Sequence, residues 1–328
     1  MSGIPILITG ATGYIGAQLV FGLLRQFGAT VRCRVTVRSG SDSAIFDSLP
    51  VEIVRADLHD PMAIIEAVQG AEVVFHCAGL IAYTGNFRNR LYETNVIGTR
   101  NVVNACLAAN VKRLVVTSSI AAIGADEGLE SNEQSTFNER QRRNPYMESK
   151  HLAELECLRG VAEGLDVVMV NPGVVIGSGE GKNAPGSSSN EVLRMIYQGK
   201  LPFCPVGGTG FVDVRDVTDA HIAAWQKGTC GERYIIVGES LTFRELFAHI
   251  KALPGSRAKS PVMVSGALAV AVGAGGEFWS LLTGRPSFIS LESIKQASQE
   301  TRYSNRRSMQ ELSITYRSFA DTLGTVIA

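Results

Sequence analysis

The sequence has no surplus of charge of either sign. Its 328 residues include 31 lysines and arginines and 31 aspartates and glutamates, and the pI is near 7. A protein whose main partner is nucleic acid needs a basic surplus to neutralise phosphates. The tightest basic cluster, Arg140, Arg142 and Arg143, is typical of a solvated face. We therefore expect no nucleic acid partner.

Cysteine is scarce, and its spacing is irregular. The six cysteines are Cys33, Cys77, Cys106, Cys157, Cys204 and Cys230. No two of them form a CxxC pair and several lie in apolar runs, which indicates reduced, buried cysteines and not a disulfide framework or a zinc site. The five histidines have no spacing that indicates metal ligands. These spacings predict that the protein binds no metal. Because no basic leader precedes the first predicted strand, we expect a cytoplasmic protein.

Long hydrophobic runs are also missing. The longest uncharged stretch, residues 260–276, is interrupted by Pro261, Gly266 and Gly273. A membrane-spanning helix needs about 20 predominantly apolar residues. The stretch therefore predicts a buried or interface helix, with docking on a membrane surface as the alternative. We expect no membrane partner.

Short apolar runs alternate with longer helical patterns in the first half of the chain. The strand candidates are Ile6–Thr9, Val31–Val37, Val51–Val54, Val73–His76, Leu114–Thr117 and Val167–Val170. The helix candidates lie near 14–26, 61–69, 87–109 and 146–163. Strands this apolar are buried on both faces, which predicts an α/β fold with a doubly wound parallel sheet, the Rossmann fold. We expect this domain over residues 1–176, with a return near 211–228, and a smaller, mainly substrate-binding lobe over 177–328.

A glycine-rich turn follows the first strand. The segment GATGYIG contains Gly10, Gly13 and Gly16 and opens an apolar helix, which is the context that a dinucleotide-binding loop requires. The glycines allow a tight turn, close approach of a pyrophosphate and close helix packing, and the helix N-terminus attracts the phosphates. The other residues of this turn that we assign to cofactor binding are Thr12, Tyr14 and Ile15.

The residues after the second strand bear on the choice of cofactor. An acid that binds a ribose 2′-hydroxyl is expected about 20 residues past the glycines. This position holds Arg38 and Ser39, and the first acid after them is Asp42. Because arginine pairs with phosphate, the sequence favours NADP(H), with NAD(H) as the alternative.

Two further strand ends carry weaker signals. Asp57 and Leu58 follow the third strand, where the carboxylate would meet the adenine, although Asp57 or Asp60 is equally typical of a helix cap. Ala78 and Gly79 follow the fourth strand, where small residues let a cofactor lie flat. We assign Asp57, Leu58, Ala78 and Gly79 to the cofactor site.

A tyrosine and a lysine occur four residues apart in YMESK. On a helix this spacing puts Tyr146 and Lys150 on one face, where the ammonium is expected to lower the pKa of the phenol. Ser118 and Ser119 follow the fifth strand, at the edge of the sheet where such folds bind ligand. Thr117, at the end of that strand, is a cofactor-binding candidate. A serine and the tyrosine would together bind one substrate oxygen.

Seven motifs follow one another in a recognisable order. They are TGATGYIG, DL at 57–58, HCAG at 76–79, TNVIGT at 94–99, TSSIAAIG at 117–124, YMESK at 146–150 and NPGVVIG at 171–177. In this order they resemble the extended short-chain dehydrogenases/reductases, the NAD-dependent epimerase/dehydratase type. Within that superfamily the chain resembles the dihydroflavonol-reductase and 3β-hydroxysteroid-dehydrogenase branch.

The resemblance implies roles for individual residues. Ser119 matches the catalytic serine, with Ser118 as the alternative, Tyr146 the general acid/base and Lys150 its partner. Asn95 matches a helix asparagine with a structural or proton-relay role. The segment that would run beside the nicotinamide carboxamide of the cofactor contains Pro172, Val174 and Val175. The residues expected to contact substrate are Ile81, Tyr83, Ile120 and Ser119.

The resemblance also implies homodimers through the helices near 87–109 and 146–163. Val96, Val103 and Leu107 are compatible with burial against a partner and equally with burial on the sheet. The leading functional hypothesis is an NADP(H)-dependent reductase of a ketone or aldehyde, acting on a small-molecule carbonyl or alcohol. The alternatives are a nucleotide-sugar epimerase or dehydratase with tightly bound NAD, and a cofactor-binding regulator without turnover.

Overall fold

A seven-stranded sheet forms the centre of the computed structural model, which describes residues 3–125, 129–180, 186–264, 294 and 297–327. Its strands are β1 (Ile4–Thr9), β2 (Val31–Val37), β3 (Val51–Arg55), β4 (Val73–His76), β5 (Arg113–Thr117), β7 (Val167–Pro172) and β11 (Arg233–Ile236). All neighbours are parallel, in the order β11-β7-β5-β4-β1-β2-β3. The order reverses between β1 and β4, which is the point where doubly wound sheets bind ligands.

The six strand predictions are confirmed to within two residues at each end. The sheet is buried on both faces, as the apolar runs predict. Along β1, Ile6 and Ile8 pack in one core and Leu7 in the other. The predicted Rossmann fold is therefore correct.

Helices cover both faces of the sheet. They are α1 (Tyr14–Phe27), α2 (Pro61–Val68), α3 (Arg88–Leu91), α4 (Gly98–Ala108), α5 (Glu139–Arg142), α6 (Pro145–Ala162), α7 (Ser188–Tyr197), α8 (Val214–Lys227), α9 (Phe243–Ala252), α10 (Arg306–Glu311) and α11 (Phe319–Ile327). The first and eighth pack together on one face, and α2, α4 and α6 pack on the other. Short 3₁₀ turns occur at Gly28–Thr30, Ala44–Phe46, Gly85–Phe87 and Ile120–Ala122.

The helix expected over 87–109 is divided. A π-helix over Tyr92–Ile97 separates α3 from α4. π-helices are rare and occur mostly as single turns, frequently at functional sites. This one contains Asn95, whose contacts are described below.

The second half of the chain builds a smaller core and returns to the main sheet. Its strands are β8 (Val174–Ile176), β9 (Phe203–Pro205), β10 (Gly208–Asp213), β12 (Glu239–Thr242) and β13 (Val262–Val264), and the short pair β6 (Glu130–Ser131) and β14 (Arg302–Tyr303) completes the set. The order β12-β10-β8 forms a separate sheet, packed with α7, α9 and α11. The helix α8 and the strand β11 rejoin the main sheet, so the chain crosses between the two cores more than once.

Within the described residues, no helix has the length and apolar character that a membrane span requires. The helix expected over 260–276 is wrong at its start, because Val262–Val264 form strand β13, paired with β9. The rest of the predicted helix, from Ser265 onward, lies outside the described residues.

Candidate active site

The glycine-rich turn has the geometry of a phosphate cradle. Gly10 has φ +68°, and a Cβ there would lie 2.5 Å from the backbone of Ala78. A Cβ on Gly16 would lie 2.3 Å from the carbonyl oxygen of Gly10. Side chains at these two positions would push β1, β4 and α1 apart. Only glycine lets the turn pass this closely between the strands and the helix.

The first turn of α1 leaves its backbone N–H groups open to an anion. Its N-cap residue, Gly13, has no side chain to accept from them, and no acidic residue occupies the first turn. A helix N-terminus of this kind attracts phosphate. The residues therefore fit the pyrophosphate of a dinucleotide.

The neighbouring side chains of the turn have other contacts. The Tyr14 hydroxyl donates to the carbonyl of Gly177 at 2.6 Å, and Ile15 packs on the core. Thr12 is half-buried. Contact of Tyr14 and Ile15 with a cofactor would therefore come mainly from their backbone.

Two arginines lie at the adjacent ends of β2 and β3. Arg38 and Ser39 are exposed, and no hydrogen bond or ion pair of the Arg38 guanidinium occurs among the described residues. The Arg55 side chain donates to the carbonyls of Arg38 and Ser41, each at 3.2 Å, and so supports the turn. Arg55 is a residue that the sequence analysis missed, although its place at a strand end is a signal.

The residues after β3 differ in their burial and in their hydrogen-bond partners. The Asp57 carboxylate accepts from the backbone of His59 at 2.9 Å and faces its ring nitrogen at 2.8 Å. Asp60 is the residue that caps α2, accepting from the amides of its first turn. Leu58 is buried, and its carbonyl accepts from Asn101 at 2.7 Å.

The segment after β4 lies beside the lysine. A Cβ on Gly79 would lie 3.4 Å from Lys150 Nζ and 3.3 Å from Asn95 Oδ1. The Asn95 amide binds the backbone of Leu80 through both its oxygen and its nitrogen, at 2.7 and 3.0 Å. Because the Asn95 side chain holds the loop after β4 in place, the contacts favour a structural role for Asn95 over a role in a proton relay.

The local sequence sets Tyr146 at the start of α6. Pro145 occupies the first turn, and the Asn144 side chain accepts from the amide of Tyr146 at 3.0 Å. The Ser119 side chain faces the Tyr146 phenol and acts to lower its pKa. By contrast, Ser118 donates to Glu154 at 2.5 Å. The structure thus brings Ser119, and not Ser118, to the tyrosine.

The protonation of this pair differs from the expectation. Burial raises the pKa of Tyr146 above its usual value, opposed by Ser119. The Lys150 ammonium donates to the carbonyl of Thr117 at 3.1 Å, and burial lowers its pKa to about 8, opposed by Glu154. The predicted lowering of the phenol pKa by Lys150 is therefore wrong for this state, because burial of the phenol dominates and the group that opposes it is Ser119. Tyr146 is a neutral phenol at pH 7.

The ends of β5 and β7 meet beside the serine. Asn171, one residue before Pro172, donates to the Ser119 carbonyl at 3.0 Å. Val174 and Val175 follow and pair with β10. The Thr117 hydroxyl is hydrogen-bonded to Nε2 of His221 at 2.7 Å. The other ring nitrogen of His221, Nδ1, is hydrogen-bonded to the carbonyl of Val217.

An apolar cluster surrounds the tyrosine. Tyr83 packs edge-on against Tyr146 with ring centroids 5.4 Å apart. The members of the cluster are Leu80, Ala82, Tyr83, Phe87, Leu91, Ala121, Phe137, Tyr146 and Met147. Of the other predicted substrate contacts, Ile81 is exposed, and Ile120 packs in a different cluster with Ile235 and Val237.

The fold and the site define an enzyme class, the NAD(P)-dependent oxidoreductases. Residues 6–237 match the family described as the NAD dependent epimerase/dehydratase family. The chain belongs to this family, within the extended short-chain dehydrogenases/reductases, and uses a nicotinamide cofactor.

Curated relatives and solved structures agree with this assignment. A putative dihydroflavonol 4-reductase from Synechocystis is 32% identical over 98% of this chain and 92% of its own. A sterol demethylase protein B from Methylococcus capsulatus is 34% identical over 76% of this chain and 74% of its own. A nucleoside-diphosphate-sugar epimerase from Pseudomonas aeruginosa superposes with a TM-score of 0.78 over 99% of this chain and 96% of its own, at 21% identity. The last likeness concerns the fold alone.

Proposed function

We propose that this protein is an NADP(H)-dependent reductase of a ketone or aldehyde. The observation that carries the proposal is the position of the buried Tyr146 on α6: Lys150 of the same helix lies beside Gly79, and the neighbouring Ala78 lies against Gly10 of the phosphate cradle. A neutral phenol is a proton donor, which is what reduction of a carbonyl requires. Lys150, one turn along α6, completes the triad.

Each residue of the triad has one task. Ser119 donates a hydrogen bond to the substrate carbonyl oxygen and orients it. Tyr146 gives its proton to that oxygen as negative charge develops there, and the Lys150 ammonium stabilises the phenolate that remains. Bound NADPH supplies the hydride to the carbonyl carbon. The cradle at Gly10, Gly13 and Gly16 would hold the pyrophosphate, and Ala78 and Gly79 would leave room for the rest of the cofactor. We propose the same binding role for the other cofactor-binding candidates.

The preference for NADP(H) is supported by charge. Arg38 is exposed at the end of β2, no acid precedes Asp42, and Arg55 supports the turn from the next strand. The guanidinium of Arg38 would pair with a 2′-phosphate, whereas an acid there would repel it. NAD(H) is the alternative cofactor.

The apolar cluster around Tyr146 supports an apolar carbonyl substrate. Sequence relatives named for dihydroflavonol and cinnamoyl-CoA reduction favour the same reaction class. The alternative, epimerisation of a nucleotide sugar, has the support of the name of the family and of the fold likeness.

Turnover of cofactor separates the two functions. We expect the purified protein to oxidise NADPH with members of a panel of aromatic and aliphatic ketones and aldehydes. A protein that carries tightly bound NAD and interconverts UDP-sugars without net cofactor turnover would contradict the proposal. A protein that binds NADPH but turns over neither panel would be a regulator.

Three further assignments belong to the proposal. All six cysteines lie in the described residues and are free, which supports a reducing, cytoplasmic location. The separate core around β8, β10 and β12 supports a substrate lobe, and the core of the main sheet, to which α8 and β11 also belong, supports a cofactor domain. We also propose a homodimer through α4 and α6, for which the surface evidence is given in the Discussion.

A further inference from the structure

A buried carboxylate lies behind the proposed triad. Glu154 is 4% exposed and lies one helical turn beyond Lys150 on α6. Its Oε1 accepts from Ser118 at 2.5 Å and from Asn171 at 2.6 Å, and its Oε2 accepts from Arg233 at 3.0 Å. Three donors on two oxygens are the partners that an ionised, buried carboxylate requires.

The carboxylate joins the chain segments that carry the reacting groups. Ser118 precedes Ser119, and the side-chain amide of Asn171 bridges Glu154 to the Ser119 carbonyl. The Lys150 ammonium and the Glu154 carboxylate bind consecutive residues of one segment, the carbonyl of Thr117 and the hydroxyl of Ser118. The position of the serine thus depends on Glu154.

The charges around the lysine come from several elements. On α6 these are Glu154 and Cys157, and the end of β4 contributes Cys77 and His76. His151 and Arg233 interact with Glu154 itself. The cysteines and the histidines are neutral at pH 7, since burial raises the pKa of both thiols and lowers the pKa of both imidazoles. Glu154 is the anion that faces Lys150, and Arg233 is the cation that partly neutralises it.

We propose that Glu154 is a positioning residue for the reductase reaction: its oxygens fix Ser119 through Ser118 and Asn171, and its negative charge lies one helical turn from the Lys150 ammonium. This inference rests on the proposed function for its catalytic consequence only. Coupling between Glu154 and Lys150 is a property of the folded protein whether or not the reaction has been identified.

Variants of Glu154 and of its partner Arg233 distinguish an electrostatic role of Glu154 at Lys150 from a role in holding the fold together. Glu154→Gln removes the anion and leaves Arg233, so the Lys150 pKa should fall by about one unit or more. Arg233→Met removes the cation and leaves the anion, so the Lys150 pKa should rise. Glu156→Gln is the control, because it removes the same charge from α6 at a carboxylate paired with Arg100 and Arg159.

The Lys150 pKa is read by NMR of protein labelled with ¹³C at lysine Cε, with Lys150→Met to assign the signal. This readout needs no turnover, so it stands apart from the test of the reductase proposal. In the NADPH assay, the alkaline limb of the kcat profile should move to lower pH in Glu154→Gln and to higher pH in Arg233→Met. Shifts in the same direction in both variants, or none in either, would overturn the inference. If Glu154→Gln does not fold, an unmoved or lowered Lys150 pKa in Arg233→Met overturns it alone.

Discussion

At the scale of single residues, the hydrogen-bond partner of each polar side chain decides which of them can serve the proposed reaction. Ser118 and Ser119 are adjacent and chemically identical, but the hydroxyl of Ser118 is bound to a buried carboxylate, whereas Ser119 meets the tyrosine. Burial raises the pKa of Tyr146 further above its ordinary value, so the phenol is neutral at pH 7. The proposed chemistry therefore depends on one phenol as the proton donor.

Replacement of that phenol tests the proposal directly. Tyr146→Phe keeps the ring in its cluster with Tyr83 and removes only the proton donor. We expect kcat to fall by about 10²–10⁴, with little change in the Kd for NADPH. Tyr92→Phe, an exposed position on the same side of the sheet, is the matched control and should leave kcat unchanged. Near-full turnover in Tyr146→Phe would disprove the role.

The proposed preference for NADP(H) depends on Arg38. A charge-assisted contact with the 2′-phosphate contributes about 1.5–3 kcal/mol, which corresponds to about one to two decades in Kd before screening. We expect Arg38→Ala to weaken NADPH binding about tenfold and to leave NADH binding nearly unchanged, as measured by fluorescence titration.

Arg32 provides the control for this measurement. It is exposed at the opposite end of β2, and Arg32→Ala should alter neither affinity. Equal affinity of the wild-type protein for NADH and NADPH would refute the preference and would favour the epimerase alternative.

At the scale of elements, close approach of backbones determines the shape of the site. The cradle needs α1 to begin against β1, and the π-helix over Tyr92–Ile97 carries Asn95 to the loop after β4. Two helical glycines show the contrast. A Cβ on Gly16 in α1 would meet the Gly10 carbonyl at 2.3 Å, whereas one on Gly324 in α11 would meet nothing within 4 Å.

Alanine at these two glycines should have opposite effects. Gly324→Ala should stabilise the protein by about 0.5–1 kcal/mol, because alanine loses less conformational freedom in a helix than glycine. Gly16→Ala should destabilise it by about 1–3 kcal/mol and weaken NADPH binding, because α1 must move away from the cradle. Denaturant midpoints and NADPH titration measure both. Unchanged NADPH affinity in Gly16→Ala would show that the cradle does not bind the cofactor.

At the scale of the whole molecule, the outer face of α6 is unusually apolar. Val96 and Val103, which the sequence left open as partner contacts, are buried within the chain, and a Cβ on Gly160 would lie 2.7 Å from Val103. Leu155 and Leu158, however, are 47% and 44% exposed on one face of α6. Neighbouring exposed leucines on a helix are typical of an interaction surface.

The dimer proposal follows from these leucines. Light scattering at micromolar concentration should give twice the chain mass of 35.1 kDa. Leu158→Lys should give the monomer mass, because it would place a charge in the interface, and should change monomer stability by less than about 0.5 kcal/mol. Met309→Lys, also at an exposed apolar residue but on α10, should remain dimeric. A monomeric wild-type protein would contradict the proposal.

Much of the fold follows from local sequence patterns. Apolar runs of strand length separated by helical periodicity give the six strands, and Asn144 with Pro145 marks the start of α6. The seventh strand, β11, has the same apolar character, but its pairing with β7 joins residues more than 60 positions apart. No local pattern specifies a partner so distant, and the same holds for the pairing of β1 with β4, so the order of the strands is decided by the assembled sheet.

The sequence by itself determined the glycine-rich turn and the placement of Tyr146 and Lys150 one turn apart on α6, because both depend on spacing within one turn and one helix. Only the tertiary structure decided between Ser118 and Ser119, raised the pKa of Tyr146 and brought Glu154, Asn171 and Arg233 together. These outcomes depend on burial and on contacts between β5, α6, β7 and β11. Such contacts exist only when the sheet has assembled, since desolvation and hydrogen-bond partners are properties of the packed interior and not of the chain segment.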